Sequence, residues 1–223
     1  GLTREGMDAF AIESLTRAQR AIDDGLNQKE IAPVTIRTRR GEHTVSVDEQ
    51  PHKANLEKIP QLRPAFAENG TITPANSSSI SDGASALLLA SEQAVETHGL
   101  TARARIVAHS RNSLAPEAFT LAPIGAAEDV LAKAGWTVAD VDLWEINEAF
   151  AMVTMLTVDA LKLDPACVNV HGGACAQGHP IGSTGSRIIV TLMHALEHYG
   201  KKRGVAALCI GGGEATAVAI ELV

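Results

Sequence analysis

The sequence predicts an α/β protein built in layers, with a mixed rather than a purely parallel sheet. Strand-like and helix-like segments alternate along most of the 223 residues, the pattern of stacked helix and sheet layers. The last two elements, VAALCIGGG and TAVAIEL, are strands joined by a glycine turn, which places an antiparallel pair in the sheet. Aromatic residues make up only 3% of the chain, so small side chains dominate and let helices and strands approach closely.

The elements follow in order. Residues 4–24 read as an amphipathic helix with Phe10, Leu15, Ala18 and Ile22 on one stripe, Thr3 as cap and Gly25 near the stop. IAPVTI and HTVSVDE read as short strands around the basic turn RTRRGE. Residues 49–80 contain four prolines and little periodicity, a long irregular segment of the kind that usually serves function. Next, ASALLLAS (Ala84 to Ser91) reads as a buried strand, and SEQAVETHG as a helix capped by Ser91 and stopped by Gly99. ARIVAHS is a strand, PIGAAEDVLAKAGW a helix, VDLWEI a strand and EAFAMVTMLTVDALKL a long apolar helix. CVNVHGGACAQGHPIG is a turn-rich loop, and STGSRIIVTLMHALEHYG the last helix.

Composition narrows the function. Charged residues are 20% and the net charge is −7, so the basic surface expected of a nucleic-acid binder is missing. No apolar run approaches the roughly 18–20 residues that cross a bilayer, and GLTREGMDAF has no apolar core of a signal peptide. Neither a nucleic-acid nor a membrane partner is expected. Cys167, Cys175 and Cys209 show no paired spacing, which suits a reducing compartment: the cytoplasm, or an organelle matrix. No metal centre is expected.

Three loops interrupt the apolar elements. In Trp144-Glu145-Ile146-Asn147-Glu148-Ala149-Phe150, a strand runs into Asn147 and a helix is expected to begin there. Asn147 is then either a helix cap or an amide placed at a strand end to orient a water or carbonyl. Gly172 to Gly185 holds five glycines, one proline and His179, which sits between Gly178 and Pro180. That much backbone freedom is costly unless the chain turns tightly or approaches a ligand, so His179 is either catalytic or a turn residue. His171 lacks such a setting and is expected to be structural. Cys209 ends an apolar strand before Gly211, Gly212 and Gly213. It is either a buried cysteine before a hairpin or a thiol facing a pocket beside free backbone N–H groups.

Together and in this order, NEAF (Asn147 to Phe150), GGACAQGHPIGSTGSR (Gly172 to Arg187) and CIGGGEATA (Cys209 to Ala217) resemble the thiolase family. LRPAF (Leu62 to Phe66), TPANSSSISDGASA (Thr73 to Ala86) and TREGMDAFAIES extend the resemblance over essentially the whole chain. It implies the thiolase fold, a layered α-β-α-β-α architecture with mixed sheets. Residues 1–79 would be the second part of the loop domain that binds coenzyme A. Residues 80–101 would be the last strand and helix of the N-terminal domain, and residues 102–223 the C-terminal domain.

The implied activity is acyl transfer and Claisen condensation or thiolysis between acyl-CoA thioesters, with acetyl-CoA C-acetyltransferase as the expected type. A degradative 3-ketoacyl-CoA thiolase and a non-catalytic acyl-CoA or lipid-binding relative are the alternatives. His179 would activate the nucleophile, Cys209 would exchange the α-proton, and Asn147 would help hold the enolate oxygen. The Gly211 N–H would serve a second oxyanion hole. Ser78 would meet the pantetheine arm and Phe150 the acyl pocket or that arm, with His52 and Lys53 in place of the usual phosphate-binding arginine; Phe119 is either a further neighbour or, as its expected role, part of the core. Ser79 replaces a usual glycine, and Cys175 a usual aliphatic residue. No cofactor is implied beyond coenzyme A thioesters as substrates. The family's Cys-Gly-Ser-Gly nucleophile motif is absent from these residues, so an N-terminal portion, as companion chain or further segment, is expected to complete the activity. A homodimer or homotetramer is the expected assembly.

Overall fold

The computed structural model describes residues 1–223. Its centre is a four-stranded sheet made of β3 (Ala104–Ser113), β4 (Leu143–Ile146), β5 (Arg203–Ile210) and β6 (Glu214–Leu222), after an N-terminal hairpin of β1 (Val34–Thr38) and β2 (Gly41–Val45). The strand order is β3-β6-β5-β4, with β4 and β5 parallel and the other pairs antiparallel. The sheet is mixed because Gly211–Gly213 turn the chain straight back after β5.

Alternation along the strands sends side chains into two helix layers. On one face Trp144, Ile146, Val205, Ala207, Ala215, Ala217 and Ala219 pack against α4 (Ala122–Ala134). On the other, Leu143, Ala206 and Ile220 pack against Ile188, Leu192 and Leu196 of α7 (Thr184–His198). Each fully buried leucine or isoleucine among them stabilises the fold by about 1.5–3 kcal/mol. The sequence is small where layers must close: a Cβ on Gly204 of β5 would strike the Leu192 side chain.

Helix α1 (Arg4–Asp23) begins as expected, with the Thr3 hydroxyl accepting the Gly6 N–H at 3.1 Å. Its buried stripe is Met7, Ala11, Leu15 and Ala18, whereas Phe10 and Ile22 are only half-buried. Leu15 and Ala18 meet Ile59 and Ala176, tying α1 to the irregular segment and to the histidine loop. That segment contains only α2 (Gln50–Lys53) and a 3-10 turn at Leu56–Gln61. Helix α3 (Glu92–His98) has the expected Ser91 cap and a left-handed Gly99 stop.

Two expectations fail. Ala84–Ser91 is not a buried strand: it has no regular structure, and Leu88 and Leu89 are 86% and 70% exposed. Its apolar run signals burial, but no strand of this chain lies alongside to form a ladder. The helix after β4, α5 (Ala151–Leu161), begins four residues later than Asn147, and Phe150 holds the cap position. No helix is long and apolar enough to cross a membrane.

Candidate active site

The late start of α5 is caused by a segment from elsewhere. Ala151 N–H donates to Asn76 O at 2.9 Å, and the Ser78 N–H and hydroxyl both donate to Ala149 O, at 3.0 and 3.1 Å. Ser77 and Phe150 form an antiparallel bridge. The 76–78 segment therefore supplies the partners that a capping side chain would otherwise provide. Asn147 is freed from capping. Its N–H extends the sheet by donating to Ala207 O at 2.9 Å, while its side chain turns to the histidine loop.

His179 is fixed from both sides. Gly178 has φ +86°, and a Cβ there would collide with the Ser81 hydroxyl, so only glycine fits. The His179 N–H donates to Ser79 O at 3.0 Å. On the ring, Nδ1 lies 2.7 Å from the Thr184 hydroxyl, which itself donates to Pro180 O at 3.0 Å. A hydroxyl has one proton, so here it accepts from Nδ1–H, and the Nε2 lone pair is left to face the Asn147 amide nitrogen at 3.4 Å. Burial, reinforced by the positive charge of Arg187, pushes the His179 pKa below its usual value, so the ring is neutral at pH 7.

Cys209 is the last buried residue of β5, two positions beyond the Ala207 that bonds Asn147, so the thiol and the amide stand at the same end of the sheet. No hydrogen bond from its sulfur reaches His179 or Asn147. Burial raises its pKa to about 11. Gly211 lies in the open hairpin turn, with nothing near the place a Cβ would occupy.

Phe150 is flanked edge-on by Phe119 and Phe66, at ring separations of 6.1 and 6.5 Å. Because Ser78 spends its proton on Ala149 O, its hydroxyl can only accept from a ligand. Ser79 bonds the Gln50 carboxamide at 3.0 Å and so joins this region to α2. His52 and Lys53 diverge: His52 Nε2 is 3.2 Å from Asp23, while Lys53 lines a cavity of about 410 Å³ beside Gly178 and Pro180. His171 is buried with neither nitrogen hydrogen-bonded, and burial lowers its pKa to about 4, in keeping with a structural role.

The sequence reading missed the group that holds these loops together. Glu148 is fully buried and accepts from the Ser14 hydroxyl (2.7 Å), the Asn169 amide (2.8 Å) and Cys175 N–H (3.1 Å). Ser14 also receives Gly173 N–H at 2.9 Å, and Asn169 brackets the Ile146 backbone with 2.8 Å bonds to both its N–H and C=O. Cys175 packs its sulfur over Glu148 O at 3.8 Å. Neighbouring Glu145 is also buried, its Oε2 3.8 Å from the Arg187 guanidinium and its Oε1 without a partner; burial raises its pKa to about 8. A carboxylate pair inside an otherwise apolar strand–helix join was the available signal.

Residues 100–222 match the family model described as thiolase, C-terminal domain, and residues 1–93 the one described as thiolase, N-terminal domain. The chain belongs to the thiolase family. It is 48% identical to an acetyl-CoA acetyltransferase of Yarrowia lipolytica, over 100% of this chain and 56% of that thiolase. It is 42% identical to a mitochondrial 3-ketoacyl-CoA thiolase of Bos taurus, over 99% of this chain and 56% of that one. Its structure superimposes on the crystal structure of the Bacillus anthracis acetyl-CoA acetyltransferase with a TM-score of 0.96 at 41% identity, covering 100% of this chain and 57% of that one. The fold is the thiolase fold, and the chain spans about half the length of these relatives.

Proposed function

We propose that this chain forms the proton-transfer side of an acetyl-CoA C-acetyltransferase site and acts with a thiolase portion that bears the nucleophilic cysteine. The observation that carries the reading is the His179–Asn147 contact, with Nδ1 engaged by Thr184 and the Nε2 lone pair facing the Asn147 amide. The substrates are coenzyme A thioesters, and the assembly is a homodimer or homotetramer in the cytoplasm or an organelle matrix.

The steps balance. Nε2 of His179 takes the proton of the nucleophilic thiol, which attacks the first acetyl-CoA, and Cys209 gives its proton to the departing coenzyme A thiolate. Cys209, now a thiolate, removes the α-proton of the second acetyl-CoA. Its high pKa makes it a stronger base than an imidazole, which suits so weak an acid. The electron pair moves to the thioester oxygen, where the Nε2–H of protonated His179 and a water held by Asn147 stabilise the enolate. The enolate carbon attacks the acyl-enzyme, the nucleophile leaves as a thiolate and recovers its proton from His179. Gly211 N–H serves the tetrahedral intermediate. Ser78 and Phe150 seat the pantetheine arm, and Lys53 offers a point charge to the phosphates, whereas His52 is turned to Asp23.

The test uses this chain together with the nucleophile-bearing portion. Cys209→Ser should cut condensation by about 100-fold or more, because the α-carbon needs a positioned base, while coenzyme A release in the acylation step falls far less, because water can protonate a departing thiolate in place of Cys209. Equal loss in both half-reactions removes Cys209 from the proposed role. The 42% identity to a 3-ketoacyl-CoA thiolase supports a degradative alternative, which a clear preference for long-chain over acetoacetyl substrates in thiolysis would favour.

A further inference from the structure

Asn147 is a favoured helix-capping residue that caps nothing, because the groups a longer helix would use are already taken. A helix beginning at Asn147 would pair Ala151 N–H with Asn147 C=O and Val153 N–H with Ala149 C=O, the i to i−4 pattern. Instead, Ala151 N–H donates to Asn76 O, and Ala149 O receives two protons from Ser78. Val153 N–H is left to bond Phe150 O at 3.0 Å. The 76–78 segment therefore competes with a longer α5 for the same backbone groups.

That segment is fixed by Asn76, whose side chain is wholly buried. Asn76 Oδ1 accepts Thr73 N–H at 2.8 Å and Nδ2 donates to Thr71 O at 3.0 Å, bonds that fold the segment on itself. The other Nδ2 proton goes to Asp8 Oδ1 on α1 at 2.9 Å. Asp8 is 5% exposed, and its second oxygen holds Arg4 Nε at 2.6 Å, while Arg4 also donates to Leu62 O at 2.9 Å. A hydrogen bond to a carboxylate is roughly twice as strong as one between neutral groups. The neighbouring tie, from Ser79 to Gln50 of α2, is exposed to solvent.

We propose that Asp8 is a positioning residue for Asn147: through Asn76 it fixes the 76–78 segment, and so keeps Asn147 beside His179 instead of at the head of a longer α5. The 3.4 Å Asn147–His179 contact stands at the far end of this chain of bonds. Its meaning for catalysis rests on the thiolase reading; the anchoring does not.

The experiment compares two double variants of the 223-residue chain by NMR. Both carry Arg4→Met, so neither leaves an unpaired guanidinium. Asp8→Asn keeps an oxygen for Asn76 Nδ2; Asp8→Leu, of similar size, does not. With leucine, the Ser78 amide should exchange with solvent at least about tenfold faster. The Phe150 ¹³Cα shift should also move toward helical values, away from its present extended backbone at φ −138°. With asparagine both signals should stay near the parent, and amides paired between β5 and β6 should keep their parent rates in both variants. Where the leucine variant does not fold, Asp8→Ala with Arg4 retained takes its place against the asparagine variant. Unmoved Ser78 and Phe150 signals, equal movement in the asparagine variant, or equal speeding of every amide overturns the proposal. In the complete enzyme the leucine variant should lose about tenfold in kcat and the asparagine variant little. Unchanged kcat alongside the Phe150 shift would count against the function assigned to Asn147 and leave the anchor standing.

Discussion

Glu145→Gln should make the protein less sensitive to alkali, and the size of the effect follows from where the carboxyl sits. The folded state holds the Glu145 proton up to about pH 8, against an ordinary value of 4.5. Between those limits the unfolded chain binds fewer protons than the folded one, so stability falls as pH rises through the window. Each pH unit of difference corresponds to about 1.4 kcal/mol, so parent and variant should diverge by about 3 kcal/mol between pH 5 and pH 7. Glutamine imitates the protonated acid, so the two proteins should unfold at similar urea concentrations near pH 5. By pH 7 the variant's midpoint should lie roughly 1 M higher, and the gap should stop growing above about pH 8. Trp144, the adjacent and buried residue of β4, supplies the fluorescence signal. Groups that titrate equally in both proteins cancel in the comparison. A gap that stays constant with pH, or that widens toward acid, would show that Glu145 is not a buried proton-holding carboxyl.

Two further outcomes test how the site is held. Ser14→Ala removes the donor to Glu148 Oε2 and the acceptor of Gly173 N–H, and should cost about 2–4 kcal/mol in urea unfolding at pH 7; a loss below about 0.5 kcal/mol would show that the cluster re-forms without it. Thr184→Val deletes the acceptor that fixes the imidazole tautomer and should lower kcat of the complete enzyme at least about tenfold with KM little changed; unchanged kcat would remove Thr184 from the mechanism.

The helix ends at Thr3, Ser91 and Gly99 were legible because each cap depends on residues within a turn of it, and the closing β5–β6 hairpin was legible because its glycines adjoin both strands. His179 and Asn147 were singled out from loop composition and motif order, and the structure places their side chains in contact. What failed depended on distant partners. Asn147 was compatible with a helix cap until the 76–78 segment took over the start of α5, a fact about Asn76 and Ser78 that no local pattern contains. The Ala84–Ser91 run is apolar enough for a strand, yet a strand also needs a neighbour. Glu148 was passed over because its partners lie in α1, in the loop before α6 (Ala174–Gln177) and in α6 itself, on opposite sides of it in the sequence.

That spread of partners also bears on the order in which the molecule can assemble. The Ser14–Glu148 bond closes a loop of 134 residues and the Ser14–Gly173 bond one of 159, so neither is rewarded until most of the intervening chain has already found its place. Local turns and the β5–β6 pair can form early; the junction under the histidine loop cannot. Partly folded molecules should therefore contain the β5–β6 hairpin but no fixed histidine loop, and the His179 ring should take its place beside Asn147 only with the final long-range closures.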